Sequence, residues 1–244
     1  MKPMLIYPAA ATEAVRYAVM NLHKYSIRTI DHPAPEITHL LLDVPSFSPE
    51  GKLRNGLEIQ NVLEQIPSDV TVIGGNLKHT ALSGYRIMDL LQDEAYLARN
   101  AAITADCALR VAAQLLKTTF RDTPTMILGW GRIGKCLADL LKGMGAMVTV
   151  AARKESDRAM LNALGYEAAD FSHLPSFCEL VFNTVPGQDF GDFPNSIKID
   201  LASEKSLTGE DVVWARGLPG TMVPESSGNL IAETILRLCK EADL

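Results

Sequence analysis

The clearest chemical signal in the sequence is a set of three glycines, Gly129, Gly131 and Gly134, in the run Gly-Trp-Gly-Arg-Ile-Gly. They follow the apolar segment Met126–Leu128 and precede a run with the apolar periodicity of a helix. In such a strand–turn–helix unit the first glycine permits the tight turn, the second admits a pyrophosphate, and the third lets helix and strand pack closely. The helix N-terminus then attracts the phosphate charge. The spacing predicts a dinucleotide site, although a glycine-rich turn in another α/β domain remains the alternative. The side chains between the glycines that would line this site are Trp130, Arg132 and Ile133.

The residues after the next strand, Met147–Ala151, indicate which dinucleotide would bind. An NAD site usually carries Asp or Glu here, because a carboxylate accepts hydrogen bonds from the ribose 2′-hydroxyl. This chain instead has Ala152, Arg153 and Lys154, with Ser156 close behind. A guanidinium can bind a 2′-phosphate and stack on adenine, and a lysine adds a point charge. The sequence favours NADP over NAD, unless both cations are only solvated surface residues.

Two further strand ends are predicted to border the nicotinamide half of the cofactor. They belong to the segments Leu180–Thr184 and Ile197–Leu201. The carboxyl ends of parallel strands share one edge of the sheet, and ligands bind there. The candidate cofactor residues at these ends are Asn183, Thr184, Val185, Pro186 and Ala202, and Ser203 is a candidate for contact with substrate. A strand followed by an ordinary proline turn is the alternative interpretation of Asn183–Pro186.

Candidate substrate-binding residues lie in three other segments. Ser46 belongs to a proline-bounded loop directly after a strand, which either contacts a ligand or only connects two elements. The loop formed by Gly217, Leu218, Pro219 and Gly220 could present backbone N–H groups to an anion. The start of the last helix, at Pro224–Gly228, could do the same, and a plain helix cap explains it equally well. Lys205 and Arg216 are either carboxylate-binding residues or surface charges.

Asp106 is the candidate general acid or base. It would lie two residues into a helix that begins near Thr104, which is a plausible N-cap. The alternative role for Asp106 is an acid of the first turn that stabilises the helix dipole.

The elements that would position these residues alternate between apolar strands and amphipathic helices, a pattern typical of an α/β fold with a doubly wound parallel sheet. A long helical stretch, Ile87–Thr118, is predicted to break near Asn100–Thr104 and to bridge two domains. The last helix is predicted at Ser226–Ala242, capped by Ser226 or Ser227. The remaining predicted strands are Met4–Tyr7, Thr38–Val44, Val70–Ile73 and Val212–Ala215, and the remaining predicted helices are Thr12–His23, Leu57–Gln65 and Ser156–Leu164.

Composition excludes several other classes of protein. The 244 residues are 47% hydrophobic and 21% charged with a net charge of −6, which argues against a general binder of nucleic acid or anionic membranes. No apolar run approaches the roughly 18 residues of a membrane span, and the N-terminus lacks a signal-peptide core. We therefore expect a cytoplasmic protein. The four cysteines and five histidines lack metal-binding spacing, so no metal site is predicted.

These motifs together resemble the A subunit of dipicolinate synthase. The segments that carry the resemblance are 100–104, 128–134, 151–153, 200–203, 217–224 and 227–232. It implies the fold of the D-2-hydroxyacid dehydrogenases, with a smaller flavodoxin-like N-terminal α/β domain, a long bridging helix and a doubly wound Rossmann domain that binds NADP. The corresponding expected boundaries are 1–100, 101–122 and 123–225, with the C-terminal helix, 226–244, able to pack back on the first domain.

The resemblance also implies an activity. The enzyme would oxidise a dihydro- or tetrahydrodipicolinate-type substrate to pyridine-2,6-dicarboxylate during sporulation, with hydride passing to NADP. It implies a homodimer that works with a flavoprotein-like second subunit. The residues that the resemblance assigns to the cofactor are Gly129, Gly131, Arg132, Ile133, Arg153, Asn183 and Thr184, and those it assigns to substrate are Thr104, Asp106 and Gly217–Gly220.

The sequence departs from the family pattern at several positions. Glu204-Lys-Ser-Leu207 stands where the family has Arg-Pro-Gly-Gly, Ala9–Thr12 replaces an Asp-Ala-Arg signature, and Asp106 replaces a glutamate. Losing an arginine should weaken recognition of a dianionic substrate, since a charge-assisted hydrogen bond contributes roughly 1.5–3 kcal/mol. Two alternative functions therefore stay open, a non-catalytic NADP-binding subunit or sensor and a dehydrogenase of another small oxo- or hydroxyacid.

Overall fold

The computed structural model of the chain describes residues 3–175, 177–209 and 211–242. The chain forms two compact units. The first contains the residues up to Asn100 together with those from Pro219 onward, and the second contains Ala101–Leu218.

The first unit is built on a five-stranded parallel sheet. Its strand order, β2-β1-β3-β4-β5, is that of the flavodoxin-like folds. Successive strand residues are buried on opposite faces of the sheet. Leu40 and Val72 pack in a cluster with Ile59 of a helix, whereas Leu41 and Ile73 are buried on the other face. Both faces of the sheet are therefore covered. The elements of this part of the chain are β1 (Leu5–Pro8), α1 (Glu13–Lys24), β2 (Arg28–Thr29), β3 (His39–Leu41), α2 (Ile59–Leu63), β4 (Thr71–Gly74) and β5 (Arg86–Asp89).

A single helix, α3 (Glu94–Leu115), runs from the first unit into the second. The prediction of a helix from Ile87 is wrong, because residues 86–89 form strand β5 and 90–92 a short 3-10 helix. The true start is marked by Asp93, whose carboxylate accepts the N–H of Tyr96 at 2.7 Å. The predicted break near Asn100–Thr104 is also wrong. This stretch contains two alanines, strong helix formers, and Thr104 is buried inside the helix rather than capping one.

The second unit contains a six-stranded parallel sheet in the order β11-β10-β9-β6-β7-β8, the doubly wound Rossmann order. Its two central strands are buried at every residue except Pro124, because helices cover both faces of the sheet. The predicted fold class is confirmed. The elements are β6 (Pro124–Leu128), α4 (Arg132–Gly143), β7 (Met147–Ala151), α5 (Glu155–Ala163), β8 (Glu167–Ala169), β9 (Leu180–Asn183), β10 (Ile197–Asp200), β11 (Val212–Trp214) and, at the unit boundary, α6 (Leu218–Met222).

The last helix, α7 (Pro224–Ala242), belongs to the first unit and packs on α1. The predicted cap at Ser226 or Ser227 is wrong, because the helix already begins at Pro224, a residue suited to the first helical position. Gly228 lies at the contact between the helices. A Cβ built there would be 2.4 Å from the carbonyl oxygen of Ala14 and 2.7 Å from the amide nitrogen of Ala18. No helix in the described ranges is long and apolar enough to cross a membrane.

The contact between α1 and α7 therefore depends on the missing side chain of Gly228. We expect Gly228→Ala to destabilise the chain by about 1–3 kcal/mol, because the clash involves rigid backbone atoms. Gly143→Ala is the matched control, since Gly143 also lies in a helix and a Cβ there meets nothing within 4 Å. That control should be neutral or stabilising by up to about 1 kcal/mol. Urea unfolding of both variants checks this, and equal stability of the two would contradict it.

Candidate functional site

The glycine turn between β6 and α4 makes two close contacts, one with the residue that follows β9 and one within the turn. Gly129 has a φ of +107°, and a Cβ there would lie 2.5 Å from Thr184 Oγ1. A Cβ on Gly134 would lie 2.1 Å from the carbonyl oxygen of Gly129. Neither position has room for a side chain, which fixes the start of α4 against the strand.

Gly131 differs from the other two glycines. It is the N-cap residue of α4, it is exposed, and a Cβ there would meet no atom within 4 Å. The protein itself therefore gives no reason for a glycine at this position. A glycine at the positive end of a twelve-residue helix leaves the backbone open to an anionic group, so the geometry fits a phosphate cradle.

The side chain of Trp130, between the first two glycines, is held by neighbours within the second unit. Its ring centroid lies 5.9 Å from that of Tyr166, at an interplanar angle of 60°, and Lys135 Nζ lies 5.7 Å from the indole. Burial, and then the nearby Asp139, raise the pKa of Tyr166. The phenol of Tyr166 therefore stays neutral, and its ring packs edge-to-face against the indole of Trp130.

The loop after β7 carries the two candidate phosphate-binding cations. Ala152 is buried, whereas Arg153, Lys154 and Ser156 are exposed. Across residues 3–175, 177–209 and 211–242, no ion pair engages Arg153 or Lys154. Arg158, which the sequence analysis missed, donates from Nη1 to the carbonyl oxygens of Ala152 at 2.8 Å and Arg153 at 2.7 Å. No sequence motif identifies such a role, since it depends on the folded course of the loop.

A buried carboxylate organises the ends of β9 and β10. Asp200 is fully buried and accepts hydrogen bonds from Asn183 Nδ2 at 2.9 Å and from the Ala202 amide at 3.0 Å. Its other oxygen accepts from the amides of Ser206 at 2.7 Å and Leu207 at 2.9 Å. These donors are all neutral, so they solvate the charge in place of water. Asp200 thereby holds the 202–207 loop against the end of β9.

The Asn183–Pro186 turn is fixed on both sides. Asn183 is fully buried, and its side chain also bonds the amide and the carbonyl of Val185, at 3.0 and 3.1 Å. Thr184 Oγ1 donates to the carbonyl oxygen of Leu128, at 2.8 Å, which ties this turn to the end of β6. Ser206 Oγ donates to the carbonyl oxygen of Val185 at 3.0 Å. The turn is thus a rigid wall beside the glycine turn.

The structure brings most of the predicted cofactor residues to one edge of one sheet. Strands β6, β7, β9 and β10 are neighbours, and the glycine turn, the Arg153 loop, the Asn183–Pro186 turn and Ala202 follow their carboxyl ends. Ser203 follows at the same edge and is exposed, as is Glu204, whose Oε2 would lie 3.2 Å from a Cβ on Gly187. This is the edge at which doubly wound sheets bind their ligands.

Two other predicted site residues, Ser46 and Asp106, are bonded to neighbouring groups of the protein. Ser46 is fully buried, and its hydroxyl donates to the carbonyl oxygen of Asp43 and accepts the amide of Gly75. Asp106 is the thirteenth residue of α3, not part of a first turn, and it pairs with Arg110 at 2.8 Å. The helix-dipole interpretation of Asp106 is therefore wrong, because that effect falls off within the first turn.

The segment Gly217–Gly220 is only partly a loop. Gly217 has a φ of +64°, and Leu218, Pro219 and Gly220 form the beginning of the five-residue helix α6. At the predicted anion-binding helix start, Ser227 is buried within α7 and Gly228 packs against α1. The burial of Ser227 and the close contact of Gly228 with α1 indicate that these residues pack between helices and do not bind an anion.

Three of the four cysteines lie in surroundings that disfavour the thiolate. Burial raises the pKa of the thiols of Cys107, Cys136 and Cys178, so these groups are protonated at neutral pH. In the part of the chain that the structure describes, no three His, Cys, Asp or Glu side chains are grouped so as to hold a metal ion.

The glycine turn can be tested by comparing two substitutions. Gly131→Ala should lower the free energy of unfolding by less than about 1 kcal/mol, because alanine is a poorer N-cap than glycine. It should weaken NADPH binding by roughly tenfold or more, a cost of about 1.4 kcal/mol, because the new methyl group faces the incoming phosphate. Gly134→Ala should instead lower the free energy of unfolding by about 1–3 kcal/mol, because its Cβ clashes with the Gly129 carbonyl. Fluorescence titration and urea unfolding measure the two quantities. Unchanged NADPH affinity in Gly131→Ala would exclude this cradle.

Comparison with known proteins supports the same site. Residues 95–191 match the family described as "D-isomer specific 2-hydroxyacid dehydrogenase, NAD binding domain". This range contains the glycine turn, the Arg153 loop and the Asn183–Pro186 turn. The match indicates a nicotinamide dinucleotide as the cofactor and does not distinguish NAD from NADP.

The chain is also similar to individual proteins over most of its length. It is 22% identical over 237 residues to the A subunit of dipicolinate synthase from Bacillus subtilis (strain 168), with 86% of this chain and 80% of the relative covered. The solved structure of the dipicolinate synthase A chain from B. subtilis has a TM-score of 0.80 at 18% identity, covering 100% of this chain and 97% of the other. The structure of the same synthase polypeptide from Bacillus halodurans has a TM-score of 0.82 at 18% identity, covering 98% of each chain.

A more distant fold relative is a transhydrogenase from Sinorhizobium meliloti, with a TM-score of 0.70 at 14% identity, covering 98% of this chain and 94% of the other. At these identities the solved structures show a shared fold alone. The resemblance predicted from the sequence is confirmed: the chain resembles the A subunit of dipicolinate synthase and contains a Rossmann domain like that of the D-2-hydroxyacid dehydrogenases.

Proposed function

We propose that the chain is an NADP-dependent oxidoreductase of the dipicolinate synthase A type. It would oxidise a dihydrodipicolinate-type dicarboxylate to pyridine-2,6-dicarboxylate by transfer of one hydride to NADP⁺, or a tetrahydrodipicolinate-type one by transfer of two hydrides to two NADP⁺ in succession. The observation that carries the NADP assignment is the loop after β7. Two exposed cations, Arg153 and Lys154, free of ion pairs within the described residues, follow the strand end where NAD-binding proteins place an acid.

The residues present fit such a cofactor. The open backbone at Gly131 and the N-terminus of α4 suit a pyrophosphate, and the Arg153 guanidinium with Lys154 Nζ suits a 2′-phosphate. Ser156 adds a hydroxyl near these cations. When bound, the oxidised cofactor supplies the hydride acceptor.

Other residues of the second unit would position the nicotinamide and the substrate. The rigid Asn183–Pro186 turn and Ala202 would exclude water and orient the nicotinamide ring. Asp106, an exposed carboxylate, would take the proton released when the substrate is oxidised. Thr104, Ser203 and the Gly217–Gly220 segment stay candidate substrate contacts. Ser46 is not proposed to contact substrate, because its hydroxyl is buried and hydrogen-bonded to Asp43 and Gly75 of the first unit.

The chain would also act together with partner proteins. The relative from B. subtilis is one subunit of a synthase, so we propose that this chain works with a second, flavoprotein-like subunit. We also propose that the chain forms a homodimer. We further propose that the protein acts in the cytoplasm during sporulation.

The cofactor assignment is tested with the double variant Arg153→Ala, Lys154→Ala. Its affinity for NADPH should fall roughly tenfold to a hundredfold, because charge-assisted hydrogen bonds to the 2′-phosphate are lost, while its affinity for NADH should be unchanged. Lys117→Ala, which removes another exposed cation of the same unit, is the control. Fluorescence titration measures both affinities. Equal affinity of the unaltered chain for NADPH and NADH would contradict the assignment.

The catalytic proposal is tested with Asp106→Asn. Turnover of a dihydrodipicolinate precursor, assayed in the presence of the second subunit, should fall on the order of a hundredfold, because the proton acceptor is removed. Affinity for NADPH should stay the same. Full turnover by the variant would exclude Asp106 as the base, and no turnover by the unaltered chain would favour a non-catalytic NADP-binding subunit.

A further inference from the structure

Arg158 connects three elements around the loop that carries Arg153 and Lys154. It lies early in α5, and its side chain is 24% exposed. Its Nη1 donates to the carbonyl oxygens of Ala152 and Arg153 and lies 2.7 Å from Asp170 Oδ2, just after β8. One guanidinium thus joins the start of α5 to the ends of β7 and β8.

The partner of this guanidinium is itself fixed. Asp170 Oδ1 accepts from the amide of Ser172 at 3.0 Å and from its hydroxyl at 2.6 Å. These hydrogen bonds, and the nearby Arg158, hold the pKa of Asp170 below its ordinary value. The amide of Ala152 donates to the carbonyl oxygen of Ala169 at 3.0 Å, so the backbones on both sides of the ion pair are joined as well.

The distribution of charge separates Arg158 from the other two cations. The charge of Arg158 is matched by Asp170, and its Nη1 is already directed at two carbonyl oxygens. Arg153 and Lys154 are exposed, and neither forms an ion pair in the described ranges. A phosphate would therefore draw on Arg153 and Lys154, whereas Arg158 acts on the backbone from which they extend.

We propose that Arg158, held by Asp170, is a positioning residue for cofactor selectivity. It fixes the carbonyl groups of residues 152 and 153, so that Arg153 and Lys154 are directed at the 2′-phosphate of the adenosine ribose. This inference rests on the proposed NADP preference and adds a residue that does not touch the cofactor. The length of an arginine is needed, because all three acceptors surround Nη1, which lies one bond farther from the backbone than a lysine Nζ.

The test uses nucleotides that lack the nicotinamide half, so that catalysis does not enter the measurement. Calorimetric titration of the full chain with 2′,5′-ADP and with 5′-ADP gives the preference for the 2′-phosphate. In Arg158→Lys and Arg158→Gln the ratio of the affinity for 2′,5′-ADP to that for 5′-ADP should fall roughly tenfold. The affinity for 5′-ADP itself should change little. Arg16→Lys, at an exposed ion pair on α1, should keep the full preference.

Asp170→Asn distinguishes positioning from direct binding. If Arg158 acts through the backbone, loss of its partner loosens the loop and lowers the preference for 2′,5′-ADP. An increased preference would mean that the released guanidinium binds the phosphate itself, which would overturn the positioning role. Thermal unfolding of each variant establishes that the chain remains folded.

Two further outcomes separate this inference from the proposed function. If the unaltered chain prefers 2′,5′-ADP and the Arg158→Lys variant prefers it just as strongly, the role of Arg158 alone is overturned. An unaltered chain that binds both nucleotides equally would overturn the NADP assignment and the role of Arg158 together.

Discussion

The candidate site depends on the close packing of the glycine turn, against itself and against the residue that follows β9. Position 134 has no room for a side chain beside the Gly129 carbonyl, and position 129 has none beside Thr184. These contacts set where α4 begins relative to β6 and β9. Because the N-terminus of α4 is the positive end of the helix, they also set where an anion can bind. The chemistry proposed for the Rossmann unit therefore follows from the absence of two Cβ atoms.

In each of the two sheets a buried carboxylate holds loops that follow the carboxyl ends of the strands. In the first unit Asp43, 2% exposed, accepts the amides of Ala11 and Thr12 at 2.9 and 3.0 Å, and in the second unit Asp200 accepts three amides and the Asn183 side chain. An isolated buried charge would be costly, so these N–H groups stabilise the carboxylates as the carboxylates stabilise the loops. Loops without regular structure are thereby held rigidly at the carboxyl ends of the strands, where doubly wound sheets bind ligands.

The parts of the fold that the sequence predicts best are those with local periodicity. Strand β7 lies where its apolar run predicts it, and α1 lies within one residue of its predicted bounds. The break in α3 fails as a prediction, because Thr104 is compatible with a cap and with a buried helical position, and only tertiary packing distinguishes the two. The glycine spacing locates the candidate site. The roles of Arg158 and Asp200 cannot be predicted from the sequence, because most of their partners are backbone groups, and all of them come close only when the chain folds.

The central claim is that the carboxyl edge of the Rossmann sheet binds NADP through the glycine turn and the loop after β7. The most direct measurement is a crystal structure of the chain grown with NADP⁺. It should show the pyrophosphate against the backbone at Gly131 and the 2′-phosphate within hydrogen-bond distance of the Arg153 guanidinium. A dinucleotide bound with its ribose 2′ position turned away from Arg153 and Lys154, or bound at another surface, would contradict the account.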